Sequence, residues 1–314
     1  MRIKKQSDET VILTHSRFQS ICLWILPATG ATLLFVVLFE TSYLFPTNYE
    51  DISQRICNNV RISDVDARQS RILLLGDSVD RYIADNFCET EGKDTCEWAP
   101  GIFQYMYGRA TVLCNSSFGV MGQIHLFGSH ASGPYLNNLT NSLLDPFVDT
   151  PKRICKALDL FSKAYGIPTM IVYQTMFWDV LMMVGQHETS NEVHAAIYQE
   201  NVMARLDDIS RCKDQSSLIA LRTVPRTYVE TALVDQLNNV VRNISRDAGF
   251  KLFDFDLLVW GPEGYSSSKE NSLFRDNLHP REHICARFGL QIFNTDSLER
   301  FHIDSRRSPP EQVV

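Results

Sequence analysis

The chain has 314 residues, 44% hydrophobic and 21% charged, with a formal net charge of −7. That is room for one sizeable α/β domain with appendages. The balance excludes a disordered chain and argues against a nucleic-acid partner, which would need a basic face.

The first predicted element is the run Ile21 to Phe39, 19 residues without a charge. As a helix it would span about 28 Å, the thickness of a bilayer core. Pro27 and Gly30 are tolerated in membrane helices. Arg2, Lys4, Lys5 and Arg17 precede the run, and Glu40, Glu50 and Asp51 follow it. The charge bias predicts a single-pass type II anchor over 21–39, a cytosolic tail over 1–20 and a lumenal or extracellular remainder. The rival reading, a cleaved signal peptide, meets a run that is long for one and lacks a clear cleavage site.

A secretory setting agrees with two further patterns. Asn115, Asn138 and Asn243 each begin an acceptor sequon. Cys57, Cys88, Cys96, Cys114, Cys155, Cys212 and Cys285 all follow the apolar run, so most are expected to pair and one to be left over. Cys88 and Cys96 flank a short acidic loop and form the expected first pair. The cysteines contain no CxxC, so zinc is not expected there.

Residues 40–69 read as a stem. From Arg71 the chain alternates strand with helix. Arg71–Leu75 is an aliphatic run, the mark of a strand buried on both faces. Val79–Phe87 follows as a helix, and Thr111–Cys114 as a second strand. Over 152–165, Ile154, Ala157, Leu158, Phe161 and Tyr165 share one helical face. Strands are expected at 169–174, 217–222 and 251–255, with helices at 192–211, 228–248 and 283–293. Repeated strand–helix units imply a parallel sheet covered on both faces, with ligands at the carboxyl ends of its strands.

Ser78 falls at such an end, after Gly76 and Asp77. A serine hydroxyl becomes a nucleophile only beside a base that is itself oriented by an acid. The best partners are Asp276 and His279, three apart, with Pro280 stiffening the loop before the last helix. His279 and His283 at i, i+4 would suit zinc only with a third ligand and no intervening proline, so no metal and no organic cofactor is expected. His125, His130, His187 and His194 lack partner spacing and read as core or solvated residues. Asp77 reads as a brace for the turn.

Gly76-Asp77-Ser78 after an aliphatic strand, with Asp276 and His279 before the last helix, resembles the SGNH (GDSL-type) hydrolase superfamily over residues 70–300. The resemblance implies a flavodoxin-like three-layer α/β/α fold with a central parallel sheet, and a Ser78–His279–Asp276 triad. It also implies oxyanion donors from the Ser78 amide, a glycine after the second strand and an asparagine side chain after the third. Gly119, with Gly122 as an alternative, fits the glycine. Gln174 stands where asparagine is expected. Trp178 with Asp179, Cys88 with Cys96, and Arg222 through Pro225 are similar to the PC-esterase and sugar O-acyltransferase branch. The expected function is a membrane-anchored serine esterase acting on O-acyl esters, acetyl esters foremost, of a small molecule or glycan. The alternatives are an O-acyltransferase passing the acyl group to a sugar hydroxyl, and an inactive glycan-binding protein of the same fold. The expected location is the secretory-pathway lumen or the extracellular face.

Overall fold

The computed structural model describes residues 21–28, 31–38, 57, 69–105, 109–132, 147, 149–184, 189–227, 230–276 and 278–307. The expected cytosolic tail 1–20, residues 308–314 of the expected C-terminal tail 301–314, most of the stem, Asn138 and His187 lie outside these residues; residues 301–307 of that tail are helical. The chain divides into two units, Met1–Asp51 and Ile52–Val314.

In the first unit, β1 (Ile21–Ala28) and β2 (Ala31–Leu38) pair antiparallel, from Ile21 opposite Leu38 to Ala28 opposite Ala31. The run expected as a helix is thus two paired strands here. Pro27 would remove a helical hydrogen bond in mid-run. The β-branched, aromatic and aliphatic residues on either side of Thr29 and Gly30 suit paired strands equally well. Among the described residues no helix is long and apolar enough to cross a membrane.

The second unit is an α/β fold built on β3 (Ser70–Gly76). Its central residues Ile72 to Leu75 are fully buried, as a strand covered on both faces must be. In chain order there follow α1 (Ser78–Thr90), β4 (Thr111–Ser116), β5 (Gly119–His125), α2 (Thr150–Tyr165), β6 (Met170–Tyr173), α3 (Met176–Val184), α4 (Asn191–Cys212) and β7 (Leu218–Arg222). The chain continues through α5 (Thr231–Ala248), β8 (Lys251–Phe253), α6 (Phe255–Trp260), α7 (Ser267–Leu273) and α8 (Glu282–Arg307).

The six-stranded sheet has the order β4-β5-β3-β6-β7-β8. It is mixed and mostly parallel, not wholly parallel: β5, β3, β6, β7 and β8 run together, and β4 runs against β5. The difference arises at Ser116 to Gly119, where the expected single strand and loop are a hairpin. Ser116 Oγ accepts from the Phe118 N–H and donates to the Gly119 carbonyl, so the chain reverses over Ser117 and Phe118. Gly119 sits at φ 134°, and a Cβ there would lie 2.1 Å from the Ser70 carbonyl oxygen, so only glycine fits.

Helices cover the sheet in two layers, with α1 and α8 against each other on one face and α2, α4 and α5 successively packed on the other. The α1–α8 approach is close: a side chain on Gly289 would lie 2.7 Å from the Phe87 Cβ. Three disulfides staple the unit: Cys57–Cys96, Cys88–Cys114 and Cys155–Cys212. The expected Cys88–Cys96 pair is therefore wrong. The hairpin brings Cys114 of β4 to the end of α1, where it takes Cys88, and Cys96 bridges to the distant Cys57. Cys285 is the free, buried thiol, which burial pushes up to about 12.

Candidate active site

Ser78 is the first residue of α1, and the turn that presents it is built by its neighbours. The Asp77 carboxylate accepts from the Val79 N–H at 2.9 Å, and the Asp80 carboxylate accepts from the Asp77 N–H at 3.2 Å. This reciprocal cap satisfies donors that a helix start otherwise leaves open. It also holds Ser78 at the positive end of the helix dipole. The Ser78 side chain remains half-buried rather than sealed.

His279 reaches this serine from a loop closed on itself. The Arg275 N–H donates to the His279 carbonyl at 2.8 Å, and Phe274 bridges Pro280 antiparallel. Within that loop Asp276 accepts from the backbone N–H groups of Leu278 and His279 and from His279 Nδ1, the last at 2.9 and 3.0 Å to its two oxygens. With Nδ1–H facing a carboxylate, Nε2 carries the lone pair. It lies 2.8 Å from Ser78 Oγ. Burial pushes the Asp276 carboxyl upward, but the His279 hydrogen bond, the His279 charge and the two amides outweigh it and hold it below its ordinary value. The Tyr82 ring packs on the imidazole with centroids 4.4 Å apart. The three residues singled out in the sequence are thus brought into one hydrogen-bonded line.

Behind the turn lies a buried ion pair that the sequence reading missed. Arg222, at the end of β7 and fully buried, donates to both Asp80 oxygens, at 2.9 and 2.7 Å. Its Nη2 also donates to Gln174 Oε1 at 3.0 Å. Gln174 follows β6, and its N–H donates to the Leu75 carbonyl, which sets it beside Gly76. Its own Nε2 is buried and has no hydrogen-bond partner among the described residues. Asp77, fully buried between these groups, is raised to about 7 by loss of solvent and by the Asp80 charge, against the pull of Arg222 and two backbone N–H bonds. The signal that could have found Asp80 is its spacing, three after the cap residue Asp77.

The structure does not bring Gly119 to Ser78. Gly119 pairs with Ser70 and His125 with Gly76, so Gly119 sits at the opposite end of the sheet, about 20 Å away along the strand. The reason is the hairpin: the strand parallel to β3 is β5, and it begins at Gly119 instead of ending before it. Gly122 lies mid-strand against Phe161. The segment that does leave β5 beside the serine turn is Leu126 to Ser129, with the Leu126 N–H donating to the Gly76 carbonyl at 2.7 Å. It includes Gly128 at φ 102°. Trp178 and Asp179 of α3 clamp this segment. Trp178 Nε1–H donates to His125 Nε2 at 3.2 Å, and Asp179 accepts from the N–H and hydroxyl of Ser129. His125 is fully buried, stacked on Tyr105, and held well below the ordinary imidazole value by desolvation and by Arg81, Arg153 and His279. It is a core histidine, as expected, but one beside the site.

Asn115 is exposed on β4 opposite Val120, toward the Gly119 end of the sheet, so a glycan there would stand away from Ser78. Asp254 and Asp256 follow β8 and are joined by Arg242. Among the described residues no group of three His, Cys, Asp or Glu side chains is arranged to hold a metal ion.

No family model matches the chain, and no curated protein matches it. Solved structures similar to it include GDSL-like lipases and acetyl esterases. A GDSL-like lipase from Bacteroides thetaiotaomicron is 11% identical, with 73% of this chain and 90% of that one covered at a TM-score of 0.42. A putative acylhydrolase from Bacteroides fragilis is 11% identical, with 74% and 90% covered at a TM-score of 0.43. A carbohydrate acetylesterase from Sinorhizobium meliloti is 8% identical, with 74% and 100% covered at a TM-score of 0.41. These are likenesses of chain path alone.

Proposed function

We propose that the chain is a serine esterase acting on O-acyl esters, acetyl esters among them, of small molecules or glycans. The observation that carries this is the line Ser78 Oγ, His279 Nε2, His279 Nδ1, Asp276, with its spacings of 2.8 and 2.9 Å. Ser78 Oγ attacks the ester carbonyl while His279 Nε2 takes its proton. Asp276 holds the imidazole in the tautomer this needs and stabilises the imidazolium. The negative charge on the carbonyl oxygen meets the Ser78 backbone N–H and Gln174 Nε2–H. The glycine amide that the superfamily resemblance requires is assigned to Gly128 after β5, in place of Gly119. His279 then returns the proton to the departing alkoxide, leaving an acyl-serine. Water attacks the acyl carbon, gives its proton to His279, and the acid leaves as the serine regains its hydrogen. The three disulfides support an oxidising, secretory-pathway or extracellular setting.

The test is hydrolysis of p-nitrophenyl acetate by the full-length protein and its Ser78→Ala variant, with fluorophosphonate labelling mapped by peptide sequencing. The expected result is turnover lost in the variant and the label on Ser78. A variant that keeps the rate, or a label on another residue, overturns the reading.

A further inference from the structure

We infer that Arg222 is a positioning residue for the chemistry at Ser78: it fixes the direction of the Gln174 side-chain amide so that its N–H, and not its oxygen, is presented as a donor. The inference rests on the esterase reading above.

A primary amide has one accepting and one donating end, and the two are nearly the same shape. A glutamine near a developing oxyanion stabilises it with Nε2 forward and repels it with Oε1 forward. Free rotation would leave the wrong end forward part of the time. Here the ambiguity is removed. Arg222 Nη2–H can only donate, so it accepts no arrangement but the one with Oε1 turned toward it, at 3.0 Å. Nε2 is thereby turned the other way, where it is buried without a partner among the described residues. A buried, unused N–H costs free energy unless something uses it. An anionic oxygen formed during acyl transfer would use it.

Arg222 is itself fixed. Its fork binds Asp80 through Nε and Nη2, and Asp80 caps the helix that begins at Ser78. One guanidinium therefore references the donor to the same helix that carries the nucleophile. A buried ion pair gives little net stability over an apolar filling, so its retention here fits a geometric role. Glutamine's extra methylene relative to asparagine makes the side chain more mobile, and the arginine offsets that mobility.

The test uses Gln174→Glu, Gln174→Ala, Arg222→Lys and the double variant Gln174→Ala with Arg222→Lys, all full length. Two rates are measured: p-nitrophenyl acetate turnover and second-order labelling by a fluorophosphonate, whose phosphorus centre also develops an anionic oxygen. Gln174→Glu keeps an acceptor for Arg222 but replaces the donor by an oxygen, and is expected to slow both rates about 100-fold or more with a folded protein. Arg222→Lys keeps the charge opposite Asp80 but has no rigid fork to hold both partners. It is expected to lower kcat about 10-fold or more while KM stays within about 2-fold. In the Gln174→Ala background the lysine substitution should cost less than about 2-fold, because its effect runs through an amide that is no longer there. Equal losses from Arg222→Lys in both backgrounds would show a merely structural arginine and overturn the inference. So would unaltered rates in Gln174→Glu. If Arg222→Lys does not fold, Arg222→Gln combined with Asp80→Asn, which removes both buried charges together, is measured in the same two backgrounds and the same comparison decides. Ser78→Ala separates the two levels: if it abolishes labelling while Gln174→Glu does not slow it, the esterase reading stands and this inference falls.

Discussion

Gly76→Ala tests whether the serine turn depends on the contact between β3 and Asp80. A Cβ on residue 76 would lie 1.8 Å from Asp80 Oδ2, 2.5 Å from its Cγ and 3.0 Å from the Gln174 carbonyl oxygen. The carboxylate would have to retreat by roughly 1.5 Å to regain van der Waals contact. Its bonds to Arg222 are 2.7 and 2.9 Å and its bond to the Asp77 N–H is 3.2 Å, so a retreat of that size breaks them. The Gln174 backbone bars the methyl from moving the other way. Parting a fully buried ion pair costs about 3–5 kcal/mol. For a domain of this class that corresponds to a fall in Tm of about 6–20 °C. Urea unfolding followed by circular dichroism, with calorimetry for Tm, measures both. Asp80→Ala removes the obstructing carboxylate, so Gly76→Ala added to Asp80→Ala should cost much less than Gly76→Ala alone. A Gly76→Ala protein within about 1 kcal/mol of wild type, or full additivity with Asp80→Ala, would refute the reasoning.

Two further outcomes concern stability alone. Asp77 is raised from 3.8 to about 7, so across that interval the folded chain keeps a proton that the unfolded chain has lost. Stability from this group is therefore complete below pH 3.8 and is lost as pH rises to about 7, by up to about 4 kcal/mol. Asp77→Asn keeps an oxygen to cap Val79 and removes the titration; its denaturation midpoint should fall less between pH 5 and pH 8 than that of wild type, and parallel profiles would contradict the assignment. The Cys155–Cys212 disulfide spans 57 residues of sequence, and replacing both cysteines by serine should cost about 4 kcal/mol by the loop-entropy relation. Denaturant titration in both redox states measures it, and an unchanged midpoint would show that the unfolded chain is not what this bond constrains.

The serine end of the site was legible because its signals are local. Arg71 to Leu75 is aliphatic without interruption, and Ser78 follows a turn at a strand end. Asp276 and His279 are three apart ahead of a proline. The donor side was not legible, for physical reasons. Gln123 and His125 make β5 look unlike a buried strand. Both are tolerated there only because Gln123 donates to the Asp77 carbonyl and Trp178 donates to His125, partners 46 and 53 residues away in sequence. With β5 unrecognised, Asn115 through Gly119 reads as a loop at the serine end, and Gly119 is carried to the wrong end of the sheet. The Asp80–Arg222 pair joins residues 142 apart and has no local trace beyond the cap spacing. Disulfide partners fail for the same reason, since Cys88 and Cys114 meet only after the hairpin has formed. The apolar run 21–39 shows the converse limit: composition alone suits a helix and a pair of strands alike.

The antiparallel strand β4 bears on how this protein behaves among copies of itself. An unpaired sheet margin is a template on which another chain can add a strand. Here β4 forms one margin, and Leu113 at its middle exchanges two backbone bonds with Cys96, which is in turn tied to Cys57. The other margin, β8, is three residues long. Among the described residues neither rim offers a long open ladder, so growth of this sheet from molecule to molecule is obstructed at both sides.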